Sequence, residues 1–124
     1  MKLKTILIIL LFFITFTSTS QIIGTTYKLD SIEIAQYDLP TEVTWYEAKK
    51  ECKELGKGWR LPTKYELDKM YDNKDLIGNF INTNYWSSTE YNSDYVWMQV
   101  FTHKLIAITL KEGHINARAV KSIK

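Results

Sequence analysis

Few residues in this 124-residue chain are of types that do covalent or metal chemistry. Cys52 is the single cysteine, and His103 and His114 are the only histidines. A reactive thiol needs a neighbour that lowers its pKa. Cys52 instead shares a helical face with Trp45, Ala48 and Leu55, so it reads as a small apolar residue turned inward. The histidines flank a hairpin with no cluster of carboxylates to join them, too thin a donor set for a metal. Asp68 and Asp72 stand at i,i+4 spacing, the pattern of a solvated helix face more than of a pair sharing a proton. Glu90, Asn92 and Asp94 offer three oxygen donors where calcium wants six to eight, so they read as a solvated turn. No Ser-His-Asp order, nucleophile elbow, phosphate loop or His-Glu-x-x-His motif is present. The expected reading is a protein without catalysis, metal or cofactor.

Binding is better supplied for. The run Glu90-Tyr91-Asn92-Ser93-Asp94-Tyr95 has the Tyr, Ser and Asn composition that adaptable contact loops favour. Glu90, Tyr91, Asn92, Asp94 and Tyr95 are therefore the candidate ligand-binding residues. Tyr46, Tyr91 and Tyr95 are placed to be exposed, and Trp59, Trp86 and Trp97 could stack on sugar rings. Arg60 and Arg118 each lie in an apolar segment. A half-buried guanidinium needs a partner, and a fold carboxylate such as Glu66 or Glu90 is expected to supply it.

These residues must be positioned by a few elements. Ile32-Glu33-Ile34 alternates as a strand does, with the isoleucines inward. Thr44 and Glu47 form a capping box ahead of a helix over 44–56, which Gly56 ends. Gly58-Trp59-Arg60-Leu61-Pro62-Thr63 follows. Its glycines allow a sharp turn, Pro62 keeps Leu61 extended, and Thr63 with Glu66 makes a second capping box. The second helix turns Leu67, Met70 and Tyr71 to the core; exposed, that strip would mark a subunit of an envelope assembly. Residues 72–84 read as a polar loop pinned by Leu76-Ile77 and Phe80-Ile81. Strands are expected over 85–91, 96–101, 104–110 and 114–120, joined by tight turns into one antiparallel meander. Helices first and strands after make an α+β domain.

Residues 1–20 have the grammar of a secretory signal peptide: Lys2 and Lys4, an apolar run from Ile6 to Phe16, then small residues. The mature chain is expected to begin at Gln21, with a lead-in over 21–31 and the domain over 32–122. It would be secreted or periplasmic, with no membrane contact after cleavage. Without Lys2 and Lys4 the basic and acidic residues balance, which weighs against a nucleic-acid partner. With one cysteine, packing must hold the fold together.

Thr44-Trp45-x-x-Ala48, Cys52, Gly58-Trp59-Arg60-Leu61-Pro62-Thr63-x-x-Glu66-Leu67, Tyr85-Trp86-Ser87-Ser88-Thr89-Glu90, Trp97 and Arg118-Ala119-Val120-Lys121 occur in one order. In that order and spacing the chain resembles the bacterial DUF1566 family, also called the C-terminal domain of the Legionella collagen-like adhesin. The resemblance covers about residues 32–122. It implies a C-type-lectin-like fold related to that of formylglycine-generating enzymes, with two helices, a twisted antiparallel sheet and long loops at one end. It also implies that Trp59, Trp86 and Trp97, which stand in the matching blocks, are core residues first, and it implies a surface partner, a glycan or a protein. Some members carry a second cysteine where this chain has Ala119, so Cys52 has no partner here. The calcium motifs Glu-Pro-Asn, Gln-Pro-Asp and Trp-Asn-Asp of the lectins are missing, as are the cysteines of the related enzymes. A small enzyme on this fold is the alternative reading, as is a structural subunit of the cell envelope.

Overall fold

The computed structural model describes residues 18–124. Most of the expected signal peptide therefore lies outside the described residues. Within them the order is α1 (Ser18–Ile23), β1 (Tyr27–Leu29), β2 (Ile32–Ile34), α2 (Trp45–Glu54), β3 (Trp59–Arg60), α3 (Lys64–Asp72) and α4 (Lys74–Ile77). The strands β4 (Asn84–Glu90), β5 (Tyr95–Val100), β6 (Leu105–Leu110) and β7 (Val120–Ser122) complete it. They form two antiparallel sheets, one ordered β1-β2-β7-β3 and the other β4-β5-β6.

Both capping boxes form. The Thr44 hydroxyl accepts from Glu47 N–H while the Glu47 carboxylate accepts from Thr44 N–H, and Thr63 and Glu66 repeat the exchange. Each pair satisfies two N–H groups that the first helical turn leaves free. Between the helices Gly56 and Gly58 take φ of 138° and 89°, conformations that side chains with a Cβ rarely adopt. Trp59 and Arg60 then pair with Lys121 and Val120. The segment thus ties the end of α2, the C-terminal strand and the start of α3 into one corner.

Arg60 closes that corner. Its guanidinium grips both Glu66 carboxylate oxygens, at 2.7 and 3.0 Å, the partner expected from the sequence. Burial pushes the Glu66 carboxyl up, but the bonds from Arg60 and from the Thr63 N–H outweigh it and leave the pKa lowered. A lowered carboxyl stabilises the fold above its unfolded pKa, and that gain is lost as pH falls through the folded value. Glu66→Gln is therefore expected to flatten the fall in melting temperature below the ordinary value of 4.5. An acid limb unchanged from the parent would refute this.

The meander is shorter than the sequence implies. It holds three strands, and 114–120 does not pair beside 104–110. After single bridges at Ile115 and Asn116 the chain leaves the second sheet and joins the first as β7. The burial of Asn116 through Val120 explains this: Ala117 and Ala119 pack into the core formed with α2, and Val120 into the one formed with α3. An alternating half-buried strand could not supply an unbroken buried run.

Residues 72–84 are not all loop, since α4 lies within them. Only one member of each apolar pair is buried or partly so, Ile77 and Phe80; Leu76 and Ile81 are exposed. In the first core Trp45, Ala48 and Cys52 meet Trp59, Leu61 and Trp86; in the second Leu67 and Met70 meet Ile32, Ile34, Tyr85 and Phe101. The apolar strip of α3 is thus spent on the core. The segment before β2 also belongs to the fold: the carbonyls of Ile22 and Ile23 accept from Tyr37 and Gln36 N–H, and β1 pairs with β2.

Candidate functional site

The β4–β5 connection, where the binding residues were expected, is a tight tip. The Asn92 side-chain oxygen accepts from Asp94 and Tyr95 N–H, both at 2.9 Å, and the Tyr95 carbonyl accepts from Tyr91 and Asn92 N–H. Lys111 anchors the tip from below. It is buried, its ammonium donates to the Ser93 carbonyl at 2.8 Å and approaches Glu90 at 3.4 Å, and it sits over the Trp45 ring. Glu90 and Asn92 are thus engaged within the tip. Their contacts hold the tip in place.

The tyrosines are free to do more. Tyr95 stands opposite Leu110, and Trp97 opposite Ile108. Directly opposed residues of an antiparallel pair point to the same face. Tyr91 meets the Trp97 ring edge-on, with centroids 5.7 Å apart. Tyr91 is 56% exposed, Leu110 48%, Ile108 40% and Tyr95 36%, so the five side chains make one open apolar surface at the tip end of the second sheet. Lys64 rims it, its ammonium 4.4 Å from the Trp97 centroid, a cation–π distance. The other end of this sheet face carries Phe101 and is covered, with Phe101 packed edge-on against Tyr71 of α3.

Sequence reasoning placed Tyr91 and Tyr95 here but missed Trp97, Ile108 and Leu110. Trp97 was expected in the core, and it is only half-buried. The signal that could have found it is the register: once Trp97 and Ile108 are paired, they share whichever face Tyr95 and Leu110 show.

A second concavity runs beneath α2. It encloses about 370 Å³ and is lined by Lys49, Lys50, Lys53 and Arg60 around a floor of Trp59 and Leu61, with Ser88 at one side. Four cations over an apolar floor suit an anion with an apolar body. The Arg60 charge is already met by Glu66, and Lys50 lies 3.9 Å from Glu54.

The other chemistry-bearing residues are held in the frame. Cys52 is fully buried, and burial pushes its thiol up to about 12, far from thiolate chemistry. Asp68 and Asp72 both face Lys104, at 3.6 and 2.8 Å, and so clamp α3 to the β5–β6 turn. His103 touches the Thr102 hydroxyl, and among the described residues no three potential metal ligands gather. Arg118 finds neither Glu66 nor Glu90. Its partner is Asp38 at 2.7 Å, and it also donates to the carbonyls of Ala35 and Gly78. The cause is topological. Arg118 lies in the segment that crosses between the sheets, and Asp38 of the β2–α2 loop meets it there.

The longer helices α2 and α3 with two antiparallel sheets make an α+β domain of C-type-lectin-like fold. Solved structures agree. The chain is similar to EMS16, an antagonist of a collagen-receptor integrin, with TM-score 0.57 and 14% identity over 78% of this chain and 96% of that one. It is similar to botrocetin, with TM-score 0.59 and 11% identity over 80% and 97%. A chain from the complex of botrocetin with a von Willebrand factor A1 domain matches with TM-score 0.57 and 12% identity, over 80% and 97%. Among curated proteins none matches. The Lcl C-terminal domain family matches residues 19–121, and the chain belongs to that family.

Proposed function

We propose that this chain is an exported, non-catalytic binding module that captures a protein partner on the surface formed by Tyr91, Tyr95, Trp97, Ile108 and Leu110. The observation that carries this reading is the exposure of those apolar side chains together, on a tip whose backbone is already fixed by its own hydrogen bonds. Exposed apolar patches with a polar rim favour association, and a fixed tip has little conformational entropy to lose on binding. Two similar structures are named for protein targets, an integrin and a von Willebrand factor domain, which supports a protein ligand. Export rests on the charge and apolar run of residues 1–20. The absence of catalysis is supported by how the titratable groups are spent, with Asp38 on Arg118, Glu66 on Arg60 and Asp68 and Asp72 on Lys104.

A glycan is the second reading, favoured by the exposed phenols of Tyr91 and Tyr95 beside the half-buried Trp97 indole, rings that can stack on sugar faces. One experiment addresses both. Tyr91→Ala and Tyr95→Ala are each expected to weaken capture of the partner by about tenfold or more, as interface aromatics do. The melting temperature should stay within a degree or two of the parent. The partner is first sought by immobilising the protein against an extracellular protein panel and a glycan array. If both variants bind whatever is captured as tightly as the parent does, the patch is not the site.

A further inference from the structure

The charges of α2 are sorted by face. Each residue of a helix turns the chain by about 100°. Lys49 and Lys53 therefore fall on one flank of the buried row Trp45, Ala48 and Cys52, with Lys50 beside them, and Glu47, Glu51 and Glu54 fall on the other. A solvated helix gains from opposite charges three or four positions apart and loses from like ones. Here Lys49 and Lys53 stand at i,i+4, as do Glu47 and Glu51. A helix laid out only for water would interleave the signs. The lysine flank is the one that borders the concavity beneath α2.

That concavity joins the lysines to an apolar floor. Its volume of about 370 Å³ lies in the range of small-ligand sites. Trp59 and Leu61 form the floor, Ser88 offers a hydroxyl at one side, and no carboxylate lines it. Lys49 and Lys53 have no carboxylate partner among the described residues. The Lys49 ammonium lies 4.2 Å from the Trp45 centroid, but an indole face attracts a cation without neutralising it. The Lys50–Glu54 pair is exposed on both sides, an arrangement that holds its partners weakly. Arg60 is spent on Glu66 and serves as wall. Each lysine also brings an apolar stem below its charge.

We propose that this concavity binds a small amphipathic anion, a single carboxylate or sulfonate head on an apolar body, of which a medium-chain carboxylate is the simplest. The body lies against Trp59 and Leu61, and the head lies among the ammonium groups of Lys49, Lys50 and Lys53. Charge complementarity selects the occupant. A neutral body would leave the sorted lysines unpaired, and a bare anion would leave the floor unused. The bound head would also relieve the like-charge contact between Lys49 and Lys53. None of these residues belongs to the tip surface, so the inference stands apart from the binding reading and fails separately from it.

The test uses anilinonaphthalene sulfonate, a sulfonate on an aromatic body that fluoresces when held away from water. The parent is expected to bind one equivalent. Decanoate below its micelle concentration should displace it, and acetate at the same concentration should not. Lys49→Gln combined with Lys53→Gln removes both unpaired charges and should raise the dissociation constant of the fluorophore by about tenfold or more. Lys49→Arg with Lys53→Arg keeps the charges and should retain the affinity. Both positions are exposed, so each double variant should melt with the parent. A parent that does not bind the fluorophore overturns the proposal. So does displacement by acetate as effective as by decanoate, or an affinity that the glutamine pair leaves unchanged. A loss caused by Tyr91→Ala in place of the glutamine pair would put the fluorophore on the tip and overturn it too.

Discussion

Replacing Asp38 with alanine should destabilise the fold by about 3–5 kcal/mol, the range for breaking a buried ion pair from one side. Arg118 is fully buried, and its guanidinium meets Asp38, two backbone carbonyls and the face of Phe80. Asp38 also accepts from the Tyr85 hydroxyl at 2.6 Å, and that hydroxyl accepts in turn from Ile81 N–H. Removing the carboxylate strands a charge in the core and loosens the hold of Tyr85 on the loop after α4. Burial raises the Asp38 carboxyl above its ordinary range, with Arg118 and then Tyr85 pulling the other way. The net rise means that attraction does not fully offset desolvation. It also sets the sign with pH: the contribution of Asp38 is fully present below its unfolded pKa and lost as pH rises through the folded one, opposite to Glu66. A pair of that kind is costly to break and cheap to replace. Arg118→Met in the Asp38→Ala background should therefore recover most of the loss. Denaturant unfolding of the two variants decides the matter. A loss below about 1 kcal/mol for Asp38→Ala, the range of an exposed pair, would show that the network does not hold the loop.

How much of this was legible follows from the range of each interaction. Both helices, their capping boxes, the bend at Gly56–Gly58 and the Arg60–Glu66 pair are set by residues close together in the chain, so local rules reached them. The Asp38–Arg118 pair spans 80 positions, and nothing near either residue names the other. The crossing of residues 115–120 between the sheets was hidden for the same reason. Their burial on all sides depends on α2, β2 and β4 being in place, and Ala117 and Ala119 carry no local instruction of their own. The candidate site divides likewise. Tyr91 and Tyr95 announce themselves by composition around a turn, while Ile108 and Leu110 join them only through the β5–β6 register. Trp97 shows the limit most sharply, because its place in the family-like blocks put it inside, whereas the structure leaves its end of the sheet open.

Trp86→Ala should therefore be far more damaging than Trp97→Ala, although the two residues are alike in type and both belong to strands of the second sheet. Trp86 is fully buried in the core formed with α2, and its indole N–H donates to the Val43 carbonyl at 2.8 Å. Truncation opens a large cavity, a loss of about 3–5 kcal/mol. It also leaves a carbonyl short of one donor, although the backbone bond from Ile115 N–H to the same oxygen limits that second penalty. Trp86→Phe separates the contributions, since it keeps most of the apolar area and removes only the donor. Trp97 is half-buried between Tyr91 and Lys64, so its removal costs the fold less and should be felt as lost affinity for the captured partner. The contrast is read from denaturant unfolding and binding on the same three variants. Equal destabilisation by Trp86→Ala and Trp97→Ala would return Trp97 to the core and remove the centre of the proposed surface. A stable Trp97→Ala protein that no longer binds would place the interaction on the open end of the sheet, where the register of β5 and β6 sets the aromatic and aliphatic side chains together.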